Sequence, residues 1–154
     1  MNDESKQVFQ QAMRLSPDER AELIEGLIIA ETSAADLEEL VAEILRRPAM
    51  YVGASDYNAI QAFIAGIHFA CGKLLGGFHD WLAVRVNGFA NHGWPNLVRI
   101  DFEKQQRAEP NDGQAIEHLN RLLREFFAYR RVNGVAKIEE EYRAWGEQYY
   151  LQED

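Results

Sequence analysis

A single cysteine, Cys71, leaves this 154-residue chain no internal disulfide. The fold must then stand on its core, and the usage suits a reducing compartment, so a cytoplasmic location is expected. No apolar run approaches the ~20 residues a membrane-spanning helix needs. The opening Met1-Asn2-Asp3-Glu4 is acidic where a secretory leader would be basic. No Cys-x-x-Cys or His-x-x-x-His pair starts a zinc site. Gly72, Gly76 and Gly77 have neither a strand before them nor a Lys-Ser or Lys-Thr after them, so they are not a phosphate loop. These absences argue against a disulfide scaffold, a membrane protein, a structural zinc domain and a nucleotide-binding loop. No cofactor and no metal are expected.

What is present is charge, unevenly placed. The net charge is −9. Residues 1–50 carry 11 acids and 5 bases, residues 51–100 carry 2 and 3, and residues 101–154 carry 12 and 8. A nearly neutral apolar middle is thus flanked by two acidic arms. Acidic arms repel phosphate backbones, which disfavours nucleic acid as a partner. They attract basic proteins and speed encounter with them.

Apolar spacing predicts a mostly α protein of six to eight helices, with residues 1–31 as an N-terminal helical arm and 32–154 as the main domain. The first helix is expected over Ser5–Leu15. The second, Pro17 to about Ala30, has Ser16, Pro17 and Glu19 as its capping signal and buries Leu23, Ile24, Leu27 and Ile28. A third runs from Ala34 to Arg46. Ser55 is the expected cap of a fourth, which runs to Leu75 and ends at Gly76-Gly77. That helix carries Ile60, Phe63, Ile64, Ile67, Ala70, Cys71, Leu74 and Leu75, the widest apolar surface in the chain, and is expected at the centre of the fold. Residues 82–103 read as two helices or as a β-hairpin, because Leu82, Val84 and Val86, then Val98, Ile100 and Phe102, also alternate. The spacing of Ile116, Leu119, Leu122, Leu123, Phe126 and Phe127 predicts a further helix ending at Asn133-Gly134. The last, Ala136 to about Tyr150, carries the stripe Ile138, Tyr142, Trp145 and Tyr149.

Few residues present themselves for chemistry. His68 and Cys71 share a helix face but lack further ligands, and an apolar surround blunts a thiol. Asp80 and Asp101 are the only acids in apolar surroundings, and an enzyme would need one of them, or His92, perturbed in a pocket. Trp81, His92 and Trp94, with Asn87, Asn91 and Asn96 nearby, could line a small-molecule pocket. Gly66, inside a helix, points to close packing against another helix.

The stretch Arg46-Arg47-Pro48-Ala49-Met50-Tyr51-Val52-Gly53 is a helix stop followed at once by a helix start. Arg47, Pro48, Met50, Tyr51 and Gly53 read as a structural turn, with Arg47 capping carbonyls, Met50 and Tyr51 plugging the core and Gly53 at positive φ; the alternative is that Met50 and Tyr51 are exposed anchors for a partner. The stretch resembles the "RPxMYxG" turn of small helical bacterial immunity proteins encoded beside polymorphic toxins, with Ala49 where glycine is common. Phe78, Trp81 and Leu82, followed by Trp94, Leu97 and Val98, also match that group's "F-x-x-WL" and "W-x-x-L[VI]" patterns and favour helices there. Met13 to Leu23 resembles the "LSPxERAEL" module of putative addiction-module components. The resemblance implies a non-enzymatic immunity protein or antitoxin that neutralises a cognate, basic toxin by direct binding. The expected contacts are Glu39, Glu43, Glu140 and Glu147, with Trp145 and Tyr149 as aromatic anchors. The same aromatic stripe could instead simply close the helical bundle, or serve a homodimer.

Overall fold

Gly134 sets the architecture. Its φ of 78° and ψ of 166° lie in a region that essentially only glycine enters, and there the long C-terminal helix breaks into two arms. The computed structural model describes Ser16, residues 34–72 and residues 74–150, with Ala34 and Tyr150 by backbone alone. The helices expected over Ser5–Leu15 and Pro17–Ala30 lie outside the described residues. The chain divides into two units, Met1–Leu37 and Glu38–Asp154. Among the described residues there are six helices and no strand: α1 (Ala34–Arg46), α2 (Pro48–Val52), α3 (Tyr57–Cys71), α4 (Phe78–Val86), α5 (Trp94–Gln106) and α6 (Asp112–Tyr150).

The protein is therefore all-α, and residues 82–103 are helical where a hairpin was the alternative. Gly77 enters α4 in the left-handed region at φ 82°, and Asn87 leaves it in the same region. Pro95 then sits in the first turn of α5, where its missing N–H costs nothing. The residues that bury confirm the helical period: Phe78, Leu82, Ala83 and Val86 on α4, and Leu97, Val98 and Asp101 on α5.

The core is made by α4, α5 and the first arm of α6. Ala115, Ile116, Leu119, Leu122, Leu123, Phe126 and Phe127 all bury on that arm. Phe78 stands at the centre, 5.0 Å from the Phe126 ring, with Trp94 at 5.7 Å and Trp81 at 6.2 Å. Beyond Gly134 the second arm returns along α4. Ile138 is buried against Gly77, where a side chain would come within 3.3 Å of its Cγ2. The Tyr129 hydroxyl donates to Glu141 Oε2 at 2.6 Å, joining the two arms across the break. That bond to a carboxylate is the main reason the Tyr129 phenol is held above its ordinary pKa.

Two expectations about α3 are corrected. Its cap is Asp56, whose side chain accepts from the Ala59 N–H at 2.9 Å, and not Ser55. It ends at Gly72 (φ 65°), four residues before Gly76, after which the Leu75 N–H donates to His68 Nδ1 at 3.1 Å. Nor is α3 the centre of the fold: Tyr57, Ile60 and Ile64 bury, while Phe63 and Ala70 face outward. The Tyr57 hydroxyl donates to the Pro95 carbonyl at 2.8 Å, and burial pushes its pKa up despite the Arg99 cation over its ring.

Candidate functional site

Helix periodicity places Glu39, Leu40 and Glu43 along one outer side of α1, which runs into the α2 turn. Glu39 and Leu40 are exposed. Glu43 is engaged by Arg46 and, at 3.6 Å, by Arg47, so it is partly neutralised within its own helix. The turn forms as a short helix with Pro48 at its first position and Gly53 at φ 73° as its left-handed cap, its N–H donating to the Ala49 carbonyl. Met50 and Tyr51 do not plug the core, as the sequence suggested: they are 70% and 40% exposed. Five residues are too few to turn both side chains inward while Pro48 and Gly53 fix the ends, and α2 buries no residue. Arg47 provides no side-chain cap for α2.

The last helix divides the expected contacts between opposite sides. Trp145 and Tyr149 lie on the stripe that Gly134 folds back onto the protein. Trp145 Nε1 donates to Asn87 Oδ1 at 2.9 Å, and its ring stacks between Tyr142 at 5.7 Å and Tyr149 at 5.0 Å. Tyr149 lies over Gly88, where a Cβ would meet its hydroxyl at 3.6 Å. Both rings are half-buried, so they close the second arm onto the loop after α4 and are not free-standing anchors. Glu140 and Glu147, seven residues apart, share the outer side. Both are exposed, and Glu140 pairs with Lys137 at 3.1 Å.

The strongest polar constellation is one the sequence hid. Asp101 and His118 are 5% and 6% exposed and bond through Oδ2 and Nε2 at 2.8 Å. Arg85 Nε donates to Asp101 Oδ1 at 3.1 Å, and Gln105 Nε2 donates to Oδ2 at 2.7 Å. Arg121 Nη2 reaches His118 Nδ1 at 2.9 Å. Arginine can only donate, so Nδ1 accepts and Nε2 carries the hydrogen directed at Asp101. Burial alone would push the Asp101 carboxyl up; the His118 hydrogen bond and the Arg85 cation outweigh it and hold it below the usual carboxylate range. Both imidazole nitrogens are committed, so the group braces α4, α5 and α6. A polar cleft of about 400 Å³ lies beside it, lined by Phe102, Gln105, Gln114, His118 and Arg121 among others.

No family model, curated protein or solved structure matches this chain. Trp81, His92 and Trp94 do not assemble as the expected pocket. Both tryptophans pack on Phe78, and the His92 carbonyl is held by His79 Nε2 at 3.1 Å. The cleft that includes Trp81 is shared with Val84, Arg85, Tyr129, Ile138 and Glu141. Asp80 pairs with its neighbour His79 at 2.9 Å.

Proposed function

We propose that the protein is a non-enzymatic immunity protein or antitoxin that neutralises a cognate toxin by direct binding. The observation that carries the reading is the exposure of Met50 and Tyr51 on the turn that resembles the immunity-protein motif. Large apolar side chains held out by a rigid turn gain nothing within the fold and suit insertion into a partner's pocket. Glu39 and Leu40 lie farther along the adjoining helix, beyond the Arg46 and Arg47 pair that engages Glu43, and the exposed Glu39 favours a basic partner there. Glu140 and Glu147, on the outer side of the last arm, add to the field that steers such a partner without sharing a surface with Trp145 and Tyr149.

The test is co-expression with the product of the neighbouring gene. The proposal expects co-purification and restored growth. Met50→Ala with Tyr51→Ala should accelerate dissociation at least tenfold, the loss of two anchors, while leaving the melting temperature nearly unchanged because neither packs in the core. Glu39→Lys should slow association and flatten its salt dependence. A complex indifferent to all three substitutions contradicts this surface, and no complex contradicts the function.

A further inference from the structure

Between Tyr57 and Gly72 the chain carries no Asp, Glu, Lys or Arg. The polar side chains of α3 are confined to one flank, Asn58, Gln61 and His68, and a helix this apolar is ordinarily buried over most of its circumference. Yet α3 buries only one face, and the other, formed by Ala62, Phe63, Gly66, Phe69 and Ala70, is exposed. Phe69 is 93% exposed and Phe63 39%. Helix geometry gathers these five residues within about a third of the circumference.

Gly66 lies at the middle of this face. A Cβ there would meet no described atom within 4 Å, and its backbone is ordinary helix. Glycine in a helix interior is destabilising relative to alanine, and nothing within the described fold requires it. Close approach of another helix from outside would. The residues on either side of Gly66 are mirrored: Ala62 and Phe63 before it correspond to Ala70 and Phe69 after it. A face that reads the same in both directions is self-complementary to an antiparallel copy of itself, the arrangement a two-fold axis produces.

We infer that α3 is a homodimer interface, two copies crossing antiparallel with the two-fold axis at Gly66. Phe63 of each copy then packs beside Phe69 of the other, and Ala62 opposite Ala70, with the two glycines letting the backbones approach. The choice of a second copy as occupant rests on this mirror symmetry and on charge. A chain of net charge −9 repels itself, and α3 is the stretch that brings no charge into a self-contact. A helix of 15 residues is about 22 Å long. One such helix per copy covers less than the ~800 Å² of a standard interface, so the dimer is weak, with a Kd on the order of 10 µM.

Sedimentation of the full chain from low to several hundred micromolar should show the mass rising from 17.7 kDa toward twice that value. Phe69→Asp should weaken dimerisation at least tenfold without altering the melting temperature, since the ring touches nothing it would unfold. The register is read by cross-linking in a Cys71→Ser background with diamide as oxidant. Gly66→Cys lies on the axis and should form a disulfide-linked dimer readily, whereas Ala62→Cys is displaced from its own copy by about eight residues, roughly 12 Å, and should not. A monomer at every concentration, a dimer unaffected by Phe69→Asp, or equal cross-linking at both positions overturns the inference. So does a monomeric chain whose Phe69→Asp variant loses only the neighbouring-gene product, because the face then belongs to that partner.

Discussion

Asp101 shows how one residue ties three helices together. Its carboxylate accepts from Arg85 on α4, Gln105 on its own helix and His118 on α6. Asp101→Ala leaves the buried His118 donor without an acceptor and takes from the Arg85 guanidinium one of its two carboxylates, Glu125 remaining at 2.8 Å, and should cost about 3 kcal/mol in chemical denaturation. The network also has a pH signature. The folded Asp101 pKa lies below its unfolded value, so its stabilisation is complete above the unfolded carboxylate pKa near 4 and is lost as pH falls through the lower folded value. Asp101→Asn should therefore be less stable at neutral pH and lose less stability than the parent on acidification; equal acid sensitivity would show that other carboxylates set it. The sequence singled out Asp101 as an acid in apolar surroundings, but its partner is 17 residues away on another helix. Spacing along one helix cannot reveal such a pair, and His118 stood among four histidines with nothing to distinguish it.

At the scale of the element, Gly134 decides where residues 135–150 go. Alanine cannot hold φ 78° with ψ 166° without strain of about 1–3 kcal/mol. Gly134→Ala should therefore drive the break toward continuous helix, which over 39 residues would reach about 58 Å. Small-angle scattering should show an increased radius of gyration, and amide exchange should accelerate at 138–149 as Ile138 and Trp145 leave α4 and its loop. Unchanged scattering and exchange would mean that Tyr129, Glu141 and the aromatic stripe hold the fold-back without the glycine. Helix boundaries were legible where strong punctuation stood alone: α1 runs Ala34–Arg46 as its apolar spacing and Pro48 dictate. They were misread where signals competed, as at Ser55 beside Asp56 and at Gly72 before Gly76-Gly77. Residues 82–103 resisted because nine-residue apolar runs fit both periods, and only Gly77, Asn87 and Pro95 settle them as helices.

For the whole molecule, apolar spacing points to a mostly α protein and the placement of charge to acidic ends, while the placement of its exposed apolar groups cannot be read from periodicity. Aromatic and thioether side chains near a turn usually pack inward, which favours a core reading of Met50 and Tyr51 over exposed anchors; in a five-residue helix pinned by Pro48 and Gly53 they point out. For Trp145 and Tyr149 the sequence leaves open a partner anchor or closure of the bundle, and it cannot show that Gly134 folds their stripe back onto Asn87 and Gly88. The exposure of Met50 and Tyr51 moves the weight of the proposed contact from the aromatic helix to the α1–α2 edge. The central claim is neutralisation by stoichiometric binding, and its most direct test is a titration of the toxic product of the neighbouring gene with this protein. The account predicts that toxic activity falls linearly and vanishes at a fixed stoichiometric ratio of the two proteins, with the toxin recovered intact when the complex is dissociated. Activity that persists in excess of this protein, or that disappears at catalytic amounts with the toxin chemically altered, would contradict it.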